Sequence, residues 1–166
     1  MLRALTLSAG VVGAGVSAQF PGFSQQYVQR LGGAVDALGV VAADFDASAA
    51  AAGLDREQAL AQLQGSAFLD SRRADMTRTI ARHARLSADL AALEGQGPFT
   101  RAYEAARFTD PQIARAAWAA FEPALPLNMA GGLFALMGFL AGGTLVRTLI
   151  GLLRMPFRRA KKPEAA

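Results

Sequence analysis

Cysteine is absent from the chain and histidine occurs once, which leaves several kinds of protein chemistry without the residues they need. Without cysteine, both a disulfide framework and a thiolate metal site are excluded. The zinc-protease, nucleophile-elbow, P-loop and dinucleotide-binding motifs are missing as well. The single histidine, His83, lies in an apolar stripe, where a packing role is more usual than a catalytic one. We therefore predict a protein that is not an enzyme and that binds no metal or cofactor.

Charge is also scarce, at 18% of 166 residues, while hydrophobic residues reach 52%. A soluble domain usually contains about 25% charged residues, so part of this chain is expected to lie in a membrane. The net charge of +4 is concentrated at one end: residues 147–166 hold six basic residues and one acidic residue, whereas residues 23–122 hold ten arginines and twelve acidic residues. A basic segment beside an apolar run indicates membrane lipids as partners and no nucleic acid.

The longest uncharged run, residues 125–146, predicts a transmembrane helix over residues 124–147. Its 22 residues would span about 33 Å, close to the thickness of the bilayer hydrocarbon. Residues 148–166 then form a basic amphipathic tail on the cytoplasmic side. We expect the following residues to contact lipid headgroups and set the topology: Arg147, Arg154, Arg158, Arg159, Lys161 and Lys162.

An apolar segment at residues 1–22 predicts a first transmembrane helix. The alternative is a signal peptide cleaved after Ala18, which would leave a protein with a single span. Small residues recur along one face of each segment and favour two helices packed together. Glycine that is simply common in membrane helices, or a homodimer, would explain the same pattern. The predicted packing residues are Ala9, Gly13, Ser17, Gly131, Ala135, Gly138 and Gly142.

Residues 23–123 predict a helical domain, because alanine is abundant and no stretch alternates between apolar and polar residues. Glycines 32, 33 and 39 are expected to let a neighbouring helix approach closely. The predicted helices cover 23–47, a short segment capped by Asp55 with Gln58, 66–94, 99–108, and 111–122 after an Asp110 cap. The fold class is therefore all-α, with a two-span transmembrane hairpin and an intervening extramembrane helical bundle.

Two sets of side chains in this domain are candidates for contacts with a partner. The first is the basic side of the third helix, which forms either an ion-paired solvated face or a docking surface: Arg72, Arg73, Arg78, Arg82 and Arg85. The second consists of aromatic residues that are either core anchors or a partner hot spot: Tyr103, Trp118 and Phe121.

Several of these stretches resemble a family of small, uncharacterised bacterial inner-membrane proteins, a domain of unknown function. The family has an SQFPxFxQQYxQRLGG-like N-terminus and an FxPAxP stretch before a glycine-rich span. The matching residues here are 18–21, 25–33, 113–118 and 121–126. Ala18 stands where the family has Ser, and residues 128–131 stand where it has Thr-x-Glu-Gly. The resemblance implies two spans, favours retention of the first helix, and supplies no catalytic residues.

These features lead to one expected function and two alternatives. We expect a non-catalytic bacterial inner-membrane protein with both termini in the cytoplasm and a periplasmic helical domain. That domain would serve as an accessory or scaffold subunit, in a homo-oligomer or with a membrane-protein partner. The first alternative is a lipid-associated enzyme or lipid-handling protein that uses His83 and the arginines of the third helix. The second is the cleaved, single-span periplasmic protein.

Overall fold

A computed structural model describes residues 2–124 and 128–158, with side chains up to residue 153. Helices account for nearly all of this part of the chain and it contains no strand, so the predicted all-α class is confirmed. A single 3₁₀ turn, Ala105–Arg107, accompanies the α-helices. The α-helices are α1 Leu2–Ala18, α2 Phe20–Ala51, α3 Arg56–Gln62, α4 Ala67–Leu93, α5 Pro98–Tyr103, α6 Pro111–Ala119 and α7 Met129–Arg158.

The chain forms two compact units. The anchor unit contains the chain up to Phe23 and from Glu122 onward, and the central unit covers Ser24–Phe121. The anchor unit is built from α1 and α7, which pack against each other along their lengths. Their contacts run in opposite directions along the chain, because Gly13 meets Gly138 and Ala9 meets Gly142. The two helices are therefore antiparallel.

Among residues 2–124 and 128–158, length and composition identify one helical segment, Met129–Leu153, that is apolar enough to cross a membrane. A second candidate arises only when the bent combination of Leu2–Ala51 and Arg56–Gln62 is counted as one span. Only 11% of the apolar window of Met129–Leu153 is buried. A helix in the core of a soluble protein would be mostly buried, so most of this apolar surface is available to the surrounding solvent.

The two predicted caps in the central unit, at Asp55 and Asp110, are confirmed, and Ser66 is a further cap. The Asp55 carboxylate accepts a hydrogen bond from the Gln58 amide, and the Gln58 side chain accepts one from the Asp55 amide, which confirms the capping box. Ser66 caps α4, and Asp110 caps α6. Outside this unit, Asn128 accepts a hydrogen bond from the Gly131 amide and so caps the first turn of α7.

Helix α2 differs from the expected helix 23–47 at both ends. It begins at Phe20, directly after a turn residue, Gln19, and ends at Ala51. The close approach expected at Gly32 and Gly33 is wrong, because a Cβ on either residue would meet no atom within 4 Å. At Gly39 the expectation is correct: a Cβ there would lie 3.2 Å from Nε2 of His83. Gly32 and Gly33 therefore lie on the open side of α2, away from its buried side chains.

The core of the central unit lies where α2, α4 and α6 contribute apolar side chains. Tyr27 and Leu31 from α2 and Leu86 and Leu93 from α4 are fully buried. Ala117 adds a fully buried residue from α6. Each buried leucine stabilises the unit by about 1.5–3 kcal/mol, and the single methyl group of Ala117 by about 0.8 kcal/mol.

Candidate functional site

The contact between α1 and α7 is made by small residues through their backbones. A Cβ on Gly138 would collide with the Gly13 carbonyl oxygen and with the Ser17 side chain, and a Cβ on Gly13 would collide with the Gly138 carbonyl oxygen. A Cβ on Gly142 would likewise collide with the carbonyl oxygen of Ala9. The glycine hydrogens therefore point at carbonyl oxygens of the opposite helix, which is the geometry of Cα–H···O contacts at close helix–helix interfaces.

Five of the seven predicted packing residues thus meet at this contact: Ala9, Gly13, Ser17, Gly138 and Gly142. Gly131 is buried near the start of α7, where its amide is capped, and Ala135 is half-buried. Gly10, which the spacing does not single out, also lies close to α7, since a Cβ there would be 2.7 Å from the Phe139 ring.

Large apolar side chains cover the outer faces of the same helix pair. Those of α1 are 56 to 70% exposed: Leu5, Leu7, Val11, Val12 and Val16. Those of α7 include Leu136, Met137, Leu140, Leu145, Leu152 and Leu153, each more than half exposed. Small residues between the helices and large apolar residues outside them are the reverse of the pattern in a soluble helical pair.

A glutamine at the break between α1 and α2 holds the chain before α7. The Gln19 side chain donates a hydrogen bond to the Ala124 carbonyl and accepts one from the Ala124 amide, both at 3.2 Å. This reciprocal pair connects positions 105 residues apart. Sequence periodicity could not reveal it, because the glutamine belongs to no apolar stripe.

In the central unit, Asp110 at the start of α6 contacts both α2 and α4, through its amide and its carboxylate respectively. Asp110 Oδ2 accepts a hydrogen bond from Nε of Arg82 at 3.0 Å, and Nη2 of Arg85 lies 3.6 Å away. Oδ1 accepts from the amides of Gln112 and Ile113. The Asp110 amide donates to the Tyr27 hydroxyl at 3.3 Å. One residue therefore caps α6 and connects it to both other helices.

The electrostatics of this cluster favour an ionised Asp110. Burial of the carboxyl alone would raise its pKa, but the Ile113 amide, the Arg82 charge and the Gln112 amide together hold that pKa below its usual value. Burial raises the pKa of the Tyr27 hydroxyl above its usual value, so the phenol stays neutral at physiological pH. The cluster is thus an ion pair beside a neutral phenol, and it suits structural support better than proton transfer.

Two further polar contacts secure the segment between α4 and α6. Thr109 donates to Asp89 Oδ2 at 2.6 Å. The nearly buried Arg101 of α5 donates to the Leu93 carbonyl at 3.2 Å and to Oε1 of Gln25 at 2.6 Å. Gln25 and Tyr27 belong to the QQY stretch of α2, and both hold later parts of the chain. The described residues leave no buried side-chain nitrogen or oxygen without a hydrogen-bond partner.

The predicted basic side of α4 is paired with carboxylates. Arg72 and Arg78 both pair with Asp75, and Arg73 pairs with Asp70 at 3.5 Å. The remaining two, Arg82 and Arg85, contact Asp110 as described above. An ion-paired face therefore describes these arginines better than an open basic docking surface.

The three predicted aromatic residues occupy different environments. Tyr103, at the end of α5, is 87% exposed, and Trp118, on α6, is 67% exposed. The Trp118 and Phe121 rings lie 6.2 Å apart in a stacked arrangement. Tyr103 and Trp118 are therefore surface residues of the central unit and not core anchors.

The remaining candidate site residues are His83 and the basic residues from Arg147 onward. The half-buried His83 ring lies against Gly39 of α2, as a packing residue would. No group of three or more His, Asp or Glu residues in the described ranges could hold a metal ion. Arg147 lies on α7 and is exposed. Arg154 and Arg158 lie in the last turns of α7, outside the described side chains, and Arg159, Lys161 and Lys162 lie outside the described residues.

Comparison with known proteins gives one match. No curated protein and no solved structure matches the chain significantly. A family model described as a protein of unknown function, DUF2937, matches residues 1–159. This match confirms the expected membership of an uncharacterised family over nearly the whole chain. The chain therefore belongs to the DUF2937 family of proteins of unknown function.

Proposed function

We propose that this protein is a non-catalytic membrane protein in which α1 and α7 form a two-span hairpin and the central unit serves as a scaffold for protein–protein contacts. The observation that carries the proposal is the construction of the anchor unit, where glycines lie between the helices and large apolar side chains lie outside. Hydrocarbon is the solvent in which this arrangement costs least, because water would be in contact with both apolar faces.

The length of α1 is compatible with a span in this arrangement. Its 17 residues are at the short end for a transmembrane helix. The chain continues with only one turn residue, Gln19, before α2 begins at Phe20. Phe20 stacks on Phe134 with ring centroids 5.3 Å apart, so the residue that follows α1 and its turn also packs against α7. These contacts support a retained first helix over a cleaved signal peptide.

Charge supports an orientation with both chain ends in the cytoplasm. Arg3 and Arg147 lie at the same end of the antiparallel pair, and five more basic residues follow Arg147 in the sequence. The central unit has a small net negative charge and lies between the two helices in sequence. By the positive-inside rule, the central unit would face the periplasm of a bacterium with an inner membrane.

The central unit supports a binding role more than a catalytic one. Its buried polar groups are committed to hydrogen bonds and ion pairs that join helices. Its large exposed aromatic residues, Tyr103 and Trp118, are of the types that are enriched at protein interfaces. The partner would be a second copy of the chain or another membrane protein.

Membrane integration is tested by extraction of native membranes with alkaline carbonate. We expect the full chain to stay in the pellet and its N-terminus to begin before residue 19, as measured by intact mass. A protein released into the supernatant would refute the membrane anchor. A mature chain that begins at residue 19 would refute the hairpin.

Docking is tested by photo-crosslinking in native membranes, with a photoreactive amino acid at Tyr103 or Trp118. A matched control carries the same group at Gln112, an exposed residue on α6. We expect specific higher-mass products from the aromatic positions and few from Gln112. Recovery of monomer only from both aromatic positions would refute the scaffold role without affecting the membrane anchor.

A further inference from the structure

A groove with a volume of about 550 Å³ lies between the start of α1 and the middle of α7. Its walls combine two kinds of residue. Arginines and threonines provide polar groups, and leucines and a phenylalanine provide an apolar surface. The polar residues are Arg3, Thr6, Thr144 and Arg147, and the apolar residues include Leu2, Leu7, Phe139 and Leu140.

The helix register explains why the two arginines line the same groove. A Cβ added to Gly143 would lie 3.5 Å from Cγ2 of Thr6, so Gly143 lies beside Thr6. Because the two helices are antiparallel, the turn of α7 after Gly143 lies at the level of Arg3, which is one turn before Thr6. The first turn of α1 and the turn of α7 after Gly143 each contribute one guanidinium. The small size of Gly143 keeps the groove open between them.

We propose that this groove binds one anionic phospholipid, with its phosphate between Arg3 and Arg147 and one acyl chain along the apolar wall. This inference rests on the proposed membrane insertion, since a lipid reaches the groove from the bilayer. The guanidinium groups match a phosphate in charge and in hydrogen-bond geometry. The Thr6 hydroxyl already donates to the Leu2 carbonyl at 3.0 Å, so towards a headgroup it can only accept a hydrogen bond. Phe139 and Leu140 suit an acyl chain.

The position of the groove favours an anionic lipid over a zwitterionic one. By the positive-inside rule, the arginine end of the hairpin faces the cytoplasmic leaflet, where anionic lipids give a negative surface potential. Two positive charges with an uncharged wall would leave a zwitterionic headgroup with an unmatched cationic group. The basic tail beyond α7 would attract such lipids in general, whereas the groove would select one molecule.

Native mass spectrometry of the detergent-solubilised full chain tests this proposal with short-chain lipids. The probes are dioctanoyl phosphatidylglycerol, dioctanoyl phosphatidylcholine and inorganic phosphate. We expect one molecule of the anionic lipid to stay bound and the other two probes to bind at least tenfold more weakly. Arg3→Gln and Arg147→Gln should each weaken retention about tenfold, as loss of one charge-assisted hydrogen bond predicts.

Two further comparisons separate the groove from general attraction to the tail. Lys161→Gln with Lys162→Gln removes two charges of the basic tail and should weaken retention of the anionic lipid less than either arginine substitution does. Leu140→Trp fills the groove and keeps every charge, whereas Leu136→Trp changes an exposed residue of α7 outside the groove. We expect lipid loss in the Leu140 variant only.

Three results would overturn the lipid site. The first is equal retention of phosphatidylglycerol and phosphatidylcholine. The second is a loss of the anionic lipid in the Lys161/Lys162 variant as large as that in the Arg3 and Arg147 variants. The third is displacement of the lipid by an equal concentration of inorganic phosphate. A chain that stays in the membrane pellet but shows any of these results would refute the groove as a lipid site while leaving the proposed anchor intact. A chain that fails carbonate extraction would instead refute the anchor.

Discussion

Adding one methyl group at Gly138 is expected to separate α1 from α7. A Cβ on Gly138 would lie only 2.6 Å from Cβ of Ser17 and closer still to the Gly13 carbonyl oxygen. Carbon atoms in contact normally lie about 3.5–4.0 Å apart, so the helices must move apart by roughly 1 Å. A gap of that size forfeits about a quarter to a half of the dispersion energy of the contacts around it. Overpacking of this kind costs about 1–3 kcal/mol.

The same helix provides a matched control. Gly132 also lies in α7, but a Cβ there would meet no atom within 4 Å. Gly132→Ala therefore changes helix propensity, by about 1 kcal/mol in favour of the helix, without any clash. Gly13→Ala and Gly15→Ala form an equivalent pair in α1, because only Gly13 contacts the opposite helix. The difference in effect between the two variants of each pair therefore measures the contact between α1 and α7 separately from helix propensity.

The separation of α1 from α7 can be measured through the equilibrium of a disulfide introduced between them. The chain has no natural cysteine that would interfere. Thr6→Cys with Gly143→Cys places two thiols across the interface, where Thr6 Cγ2 lies 3.5 Å from a Cβ built on Gly143. The pair is equilibrated in a glutathione buffer within detergent micelles. Leu5→Cys with Gly143→Cys serves as a background pair, since Leu5 is 56% exposed.

We expect Gly138→Ala to lower the effective concentration of the thiol pair about tenfold, which corresponds to about 1.4 kcal/mol. Gly132→Ala should change it less than twofold. Equal effects of the two substitutions would refute the reasoning, because they would show that the glycines serve helix flexibility and not the close contact.

Four further predictions concern the central unit and the break after α1, measured on the full chain in mild detergent. Asp110→Ala should lower the free energy of unfolding by about 2–4 kcal/mol, as measured by denaturant titration. Asp110→Asn should lower it by about half as much, because Asn still caps α6. An equal loss in the two variants would contradict separate roles for the cap and the charge. Because the pKa of Asp110 is held below its usual value, its contribution should be fully present above about pH 5 and be lost as the pH falls through the native pKa. Asp110→Asn should flatten this acid dependence, and an unchanged slope would contradict the assignment. Gln19→Ala should weaken the loop before α7 by about 1 kcal/mol, seen as roughly fivefold faster hydrogen exchange of the amide it holds; unchanged exchange would show that the pair is not maintained. Gly33→Ala should stabilise α2 by about 0.5–1 kcal/mol, since it enters open space, whereas Gly39→Val should destabilise the unit by meeting His83.

Local signals in the sequence predicted local structure well. The Asp55 capping box and the Asp110 cap depend on residues within three positions, so their side-chain chemistry is visible in the sequence. The small-residue spacing along α1 and α7 also carries its meaning within one helix, because a face that admits a close neighbour must consist of small residues. Gly13 and Gly138 meet as that spacing suggests.

Contacts between distant segments gave no comparable signal. Tyr27 and Asp110 are 83 residues apart, and nothing in the periodicity of α2 distinguishes a tyrosine that binds another helix from one that only fills the core. Gln25 and Arg101 are likewise joined across 76 residues. Gly33 illustrates the opposite error, because a glycine in a helix looks the same in sequence whether or not a neighbour approaches. Long-range partners are chosen by tertiary packing, which a single sequence does not record.

Register along the α1/α7 pair depends on the large residues that end the row of small ones. Sliding α7 by one helical turn would bring Gly13 opposite Gly142, a pairing that two glycines accept as readily as the observed one. The same slide would place the β-branched Val146 on Ala9 and would separate Phe134 from Phe20, whose rings now stack. The glycines permit the helices to touch, and the bulky residues at the two ends decide where along their length they do so.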